Sequence, residues 1–168
     1  MDCSKYVYIL MSGYIHILDD IGFFAPMILF TLSIIVLWSH IKYLNVYLIF
    51  FFLNMLLNKN LKQLIGEPRP GKVTEHNIYK KYENTSGAEI YGMPSGHAQS
   101  VIFSTIYTYL VTNSNNILIG SGFISALSLV QRYRFKRHSI KQLIVGSLLG
   151  AGVALFSYNV STFYLTCK

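Results

Sequence analysis

The chain has 168 residues, of which 52% are hydrophobic and only 12% charged; ordinary soluble domains carry roughly 25% charge, so neither disorder nor a soluble surface fits. A mean hydropathy of +0.41 suits a bundle of membrane helices, whose lipid-facing sides need no charge. Cys3 and Cys167 are the only cysteines and stand at opposite ends, which excludes a disulfide scaffold.

Residues 1–20 come first. Lys5 precedes an apolar stretch from Tyr6 to Leu18, but Gly13 and His16 interrupt it, and Asp19-Asp20 stands where a signal peptide has small residues. This segment is expected to be an uncleaved amphipathic or half-inserted piece. Five apolar runs follow: Ile21 to Trp38, Leu44 to Leu57 with an extension toward Ile65, Ala98 to Val111, Ile117 to Val130, and Ile140 to Leu165. They predict an all-α, multipass transmembrane helical bundle with spans on the short side of the ~20 residues that cross a bilayer. No repeat divides the chain, so a single domain over 1–168 is expected, with residues 58–96 as a polar loop carrying part of the site.

The formal charge of +7 is not spread evenly. Six of the fourteen basic residues (Lys59, Lys62, Arg69, Lys72, Lys80, Lys81) lie between Asn58 and Met93, and five (Arg132, Arg134, Lys136, Arg137, Lys141) lie just beyond Val130. If the last four spans each cross once, both clusters emerge on one membrane face. The charge thus belongs to loops beside membrane lipids, and no nucleic acid partner is expected.

Three motifs converge on that face. The first is Lys62 followed by Gly66-Glu67-Pro68-Arg69-Pro70: Gly66 and Pro68 end a helix, and Pro70 holds Arg69 extended, so two cations point into one place from different directions. The second is Tyr91-Gly92-Met93-Pro94-Ser95-Gly96-His97-Ala98-Gln99 at the mouth of an apolar span. The open N–H groups at such a helix start favour an anion, and His97 on the first turn is placed to exchange a proton with it. The third runs from Arg132 to Gln142: His138 and Gln142, four apart, share one helix face, so the Gln142 amide oxygen can accept from one ring nitrogen and leave the other free to attack. Further along that face, Gly146, Gly150 and Ala154 form a small-residue stripe suited to close helix packing.

Lys-x6-Arg-Pro, Pro-Ser-Gly-His and Arg-x5-His, in this order, resemble the signature motifs of the type 2 phosphatidic acid phosphatase (PAP2) family, membrane relatives of the vanadium haloperoxidases. The resemblance implies a phosphohistidine on His138, with His97 as the acid for the leaving group. Lys62, Arg69, Ser95, Gly96 and Arg132 would bind the phosphoryl oxygens, and no metal or organic cofactor is implied. Where the broad family has Asp four residues after the nucleophile, this chain has Gln142. Glu-Pro-Arg-Pro, Tyr-Gly-Met-Pro-Ser-x-His-x-Gln and His-Ser-x-x-Gln are similar to dolichyl pyrophosphate phosphatases, in which Gln occurs at that position. That branch implies a polyprenyl pyrophosphate substrate and an endoplasmic reticulum protein with a lumenal site. Phosphatidate or another lipid phosphate, or a non-catalytic phospholipid-binding role, are the alternatives. Asn84-Thr85-Ser86 is a glycosylation sequon if its loop is lumenal, and His16, His40 and His76 read as interfacial or loop residues.

Overall fold

The computed structural model describes residues 3–71 and 91–166, with side chains from 16 to 71 and from 91 to 164. Lys72, His76, Lys80, Lys81, Asn84 and Cys167 lie outside these residues. The described residues form five α-helices, α1 (Cys3–Leu37), α2 (Ile41–Ile65), α3 (Gly96–Thr112), α4 (Asn115–Arg134) and α5 (Ile140–Thr166), with a short 3₁₀ turn at Trp38–His40. An all-helical membrane bundle follows from the physics of the solvent, since a helix satisfies its own backbone donors and acceptors in hydrocarbon.

α3 is the hub, packing against each of the other four helices, while α1 pairs with α4 and α2 with α5 around it. Its closest neighbour is α5, and the small-residue stripe explains why. A methyl group on Gly146 would lie 2.5 Å from the Ser95 carbonyl oxygen, and one on Gly150 would collide with the Gln99 backbone. Backbone therefore meets backbone along this pair. Ala154 continues the contact, fully buried, into a core of Leu37, Leu44, Tyr47, Phe51, Phe103 and Tyr107.

Because α3 is enclosed by helices, its sequence does not need to be apolar. Buried Gln99, Ser104, Thr105 and Thr108 are each bonded across the bundle: Tyr47 to Ser104 at 2.8 Å, Thr105 to Ser125 at 2.9 Å, and Thr108 to Ser33 at 2.9 Å. By length and apolarity, His16–Ile65, which holds most of α1 and all of α2, and Ile140–Tyr164 stand out as membrane-crossing stretches among the described residues. α4 falls short because it buries Ser121, Ser125, Ser128, Gln131 and Arg132 against its neighbours.

From Cys3 the segment expected to be amphipathic or half-inserted is helical and continuous with the first long apolar run, as part of α1, which runs unbroken to Leu37. Asp19, which looked like a boundary, is 5% exposed and ion-paired to Arg134 of α4 at 2.8 Å, so the acid belongs inside a helix contact. The loop expected from residue 58 also begins later, because α2 continues to Ile65 and stops at Gly66, whose φ of 64° starts the turn.

Candidate active site

The C-terminal ends of α2 and α4 and the N-terminal ends of α3 and α5 meet at one end of the bundle, with α1 passing alongside. Lys62 sits in the last turn of α2, and Gly66 N–H donates back to its carbonyl at 3.0 Å. The chain then folds over through Glu67, Pro68 and Arg69. A bridge between Pro68 and Tyr91, with Gly92 N–H donating to Glu67 O at 2.7 Å, clamps the first motif onto the second.

Ser95 caps α3, its Oγ accepting from Ala98 N–H at 3.4 Å, and its own N–H is taken by the Gln142 carbonyl at 3.1 Å. Just below, Asn58 donates to Pro94 O at 3.3 Å and to Gln99 Oε1 at 2.7 Å, while Gln99 donates to Asn54 Oδ1 at 2.6 Å. These three buried amides fasten the second motif to α2.

In the third motif the spacing has a structural cause. After α4 ends, Lys136 adopts φ 51°, and the N–H groups of Arg137 and His138 both reach back to Arg132 O, at 3.0 and 3.3 Å. This turn returns the chain so that Arg132 and His138 lie side by side. α5 then opens with a capping box: Ser139 N–H donates to Gln142 Oε1 at 3.2 Å, and Gln142 N–H donates to Ser139 Oγ at 3.3 Å.

The result is a cavity of about 340 Å³. Lys62, Arg69, Gly96, His97, Arg132 and His138 line one part, and Phe23, Phe24, Pro26 and Met27 of α1 line the other. Six of the eight residues singled out from sequence thus share one cavity. Ser95 does not line it: it is fully buried, its Oγ accepting from Ala98 N–H as the α3 cap. Gln142 stands behind His138 and is 1% exposed.

His138 Nδ1–H donates to the Gly92 carbonyl at 2.9 Å and faces Gln142 Oε1 at 3.3 Å. The main acceptor is therefore backbone, which the side-chain spacing could not reveal. A methyl group on Gly92 would sit 2.5 Å from Gln142 Oε1, so a side chain there would force the amide to shift. Burial, then the positive charges of Arg69, Arg132 and Lys62, push the His138 pKa down to about 3 against the lift from Gln142, so the ring is neutral near pH 7. His97 Nε2 lies 3.1 Å from the Phe23 carbonyl and touches Arg132 Nη2. The Arg132 guanidinium in turn sits 5.0 Å above the Phe23 ring.

The α1 wall escaped the sequence reading. Phe23, Phe24 and Met27 sit in an ordinary-looking apolar run, and nothing local to it marks which residues face a cavity.

Fold and site together define a membrane-embedded helical bundle with two histidines and three side-chain cations around one pocket. The chain belongs to the PAP2 superfamily, whose family model matches residues 41–164. With that membership, its enzyme class is that of the PAP2 phosphatases. The fold is similar to that of a transmembrane PAP2 type phosphatidylglycerolphosphate phosphatase from Bacillus subtilis, with a TM-score of 0.66, 20% sequence identity, and coverage of 88% of this chain and 76% of that one. No curated protein matches the sequence.

Proposed function

We propose that the protein hydrolyses a polyprenyl pyrophosphate of the dolichyl type to the monophosphate, through a phosphohistidine on His138. The observation that carries the reading is the His138 ring itself. Its Nδ1–H is held by Gly92 O at 2.9 Å, it borders the cavity, and its remaining nitrogen, Nε2, is the one able to attack.

In the first step the Nε2 lone pair attacks the terminal phosphorus. The bond from phosphorus to the bridging oxygen breaks, and His97 gives a proton to that oxygen, releasing the lipid monophosphate. In the second step water attacks the phosphorus, His97 takes the water's proton, and the P–N bond breaks to release inorganic phosphate. Phosphoryl transfer is mostly positioning and charge stabilisation, and Lys62, Arg69 and Arg132 supply fixed positive charge, with the first-turn N–H groups of α3 near Gly96 beside them. Activity is expected to survive excess chelator.

The apolar wall from α1 supports a lipid on the leaving-group side, since Phe23 and His97 adjoin, with ring centroids 6.1 Å apart. The pyrophosphate assignment rests on the residues around the motifs, namely Glu-Pro-Arg-Pro, Tyr-Gly-Met-Pro and Gln142, and so does the reading of an endoplasmic reticulum protein with a lumenal site. A lipid monophosphate is the second reading, favoured by the substrate named for the Bacillus subtilis protein. Phosphate release from farnesyl pyrophosphate, phosphatidylglycerolphosphate and phosphatidate, compared in one detergent, tests the choice. Preference for either monophosphate ester would overturn the pyrophosphate assignment. Glycosylation at Asn84 in a microsomal translation system tests the lumenal side.

A further inference from the structure

The first motif does something besides supply cations. Gln142 Nε2–H₂ donates to Glu67 Oε1 at 2.9 Å and to Pro68 O at 3.0 Å, while Gln142 Oε1 accepts from Ser139 N–H at 3.2 Å and faces His138 Nδ1–H at 3.3 Å. We infer that Glu67 is a positioning residue for the nucleophile, its carboxylate fixing the Gln142 amide so that the oxygen faces the His138 ring. The inference rests on the reading of His138 as nucleophile.

The argument is one of donors and acceptors. Turned by half a rotation, the amide would set its NH₂ against two donors and its oxygen against a carboxylate and a carbonyl, four mismatched contacts in a site where Gln142 is 1% exposed. Both sides of the amide therefore select the same orientation, and Glu67 supplies a charged acceptor to it. A charged acceptor on Nε2–H₂ also polarises the amide and makes its oxygen a better acceptor toward Nδ1–H. The broad family pattern has a carboxylate directly behind the nucleophile. Here the carboxylate is one side chain further back, on a different loop, joined to the ring through a neutral amide. The negative charge is thereby kept farther from the incoming phosphate oxygens, which it would repel. Departure from Asp at position 142 and the presence of Glu at position 67 are then two parts of one arrangement.

A competing role for Glu67 is structural, since its Oε2 pairs with Lys141 Nζ at 3.4 Å on the exposed side. The two roles separate in kinetics with farnesyl pyrophosphate in detergent. Glu67→Ala is expected to lower kcat about tenfold with KM within about twofold, and Glu67→Gln, which keeps an acceptor oxygen, to recover to within about threefold of the native rate. Lys141→Met should stay within about threefold, and Glu67→Ala should add almost nothing in a Gln142→Ala background, because coupled residues are not additive. An undiminished kcat in Glu67→Ala, an equal loss in Lys141→Met, or full additivity with Gln142→Ala would overturn the inference. A charge exchange covers the case in which Glu67→Ala misfolds. Gln142→Glu sets two carboxylates against each other, and adding Glu67→Gln should recover at least about threefold in kcat; no recovery overturns the inference. His138→Ala is run alongside: if it retains phosphate release the nucleophile reading itself fails, whereas a dead His138→Ala with a flat Glu67 series fails this inference alone.

Discussion

His138 and His97 border the same cavity, but the surroundings of the two rings have little in common. Behind His138 stands a hydrogen-bonded polar group: Gly92 O, Gln142 and, through it, Glu67 and Pro68 O. Beside His97 stand Phe23 and the α1 surface that continues to Met27, which is 68% exposed. On the proposed reading, one half of the site holds the nucleophilic ring still, and the other receives the apolar chain of the leaving lipid monophosphate. Attack and departure on phosphorus are roughly in line, so a polar half opposite an apolar half also sets the direction in which the substrate must lie.

The largest expected effect falls on the polar half. His138→Ala should lower phosphate release by about 10⁴-fold or more, as loss of a nucleophile does. Acid-labile phosphate trapped on the enzyme should vanish with it, and retention of that label would place the nucleophile elsewhere. His97→Ala should cost about 10²- to 10³-fold on a lipid substrate but far less on p-nitrophenyl phosphate, whose leaving group needs no proton. An equal loss on both substrates would mean that His97 does something other than protonate.

Arg69→Met removes a charge that helps keep His138 neutral. kcat/KM should fall about 10- to 100-fold, and the acid side of its pH profile should move upward. The sign follows from the cause: the native ring, with its pKa near 3, stays deprotonated as pH falls from 7, and losing a neighbouring cation returns that pKa toward 6.5. The shift is read relative to the native protein on one substrate, which cancels titration of the phosphate. A profile that moves down or stays put would separate Arg69 from His138.

Gln142→Asp tests whether the polar half prefers an amide to an anion. Asp is one methylene shorter, and the position already faces Glu67 Oε1 across a 2.9 Å hydrogen bond, so a carboxylate there is expected to reduce kcat about tenfold. A tenfold gain would mean that a direct carboxylate serves this site better. The smallest effect belongs to the apolar half: Phe24→Ala should lower kcat/KM about threefold for a long-chain lipid pyrophosphate relative to a water-soluble phosphate, the loss of part of a buried apolar contact. Equal change on both substrates would remove α1 from lipid recognition.

The polar half was largely legible in the sequence because its chemistry depends on short motifs at helix ends, where spacing and turn residues restrict the geometry. Lys62, Arg69, His97, Arg132 and His138 carry such marks, and the crossing parity of the spans brings them together. Ser95 has the same kind of mark yet does not line the cavity: it is fully buried at the start of α3, with its Oγ accepting from Ala98 N–H at 3.4 Å. Gly92 O and Glu67 were hidden for opposite reasons: a backbone acceptor leaves no trace in residue type, and Glu67 depends on a contact 75 positions away in the chain. The apolar half was illegible because hydrophobicity reports burial or lipid contact without saying which. The five apolar runs marked the helices, but the Asp19–Arg134 ion pair that joins α1 to α4 is a contact no periodicity encodes.

The enclosure of α3 has a consequence for how the protein is made. A segment carrying Gln99, Ser104, Thr105 and Thr108 on its helix enters hydrocarbon reluctantly by itself, because each polar group would lose its partners. Only Asn113 and Ser114 separate α3 from α4, so the two are expected to leave the translocon together as a hairpin and to seal only when α5 supplies the Gly146 and Gly150 surface. Biogenesis would then be ordered from the outside inward, with α1 and α2 waiting in the bilayer for the helix that carries His97. Insertion efficiency of α3 expressed alone, compared with the α3–α5 segment, should rise as the following helices are added.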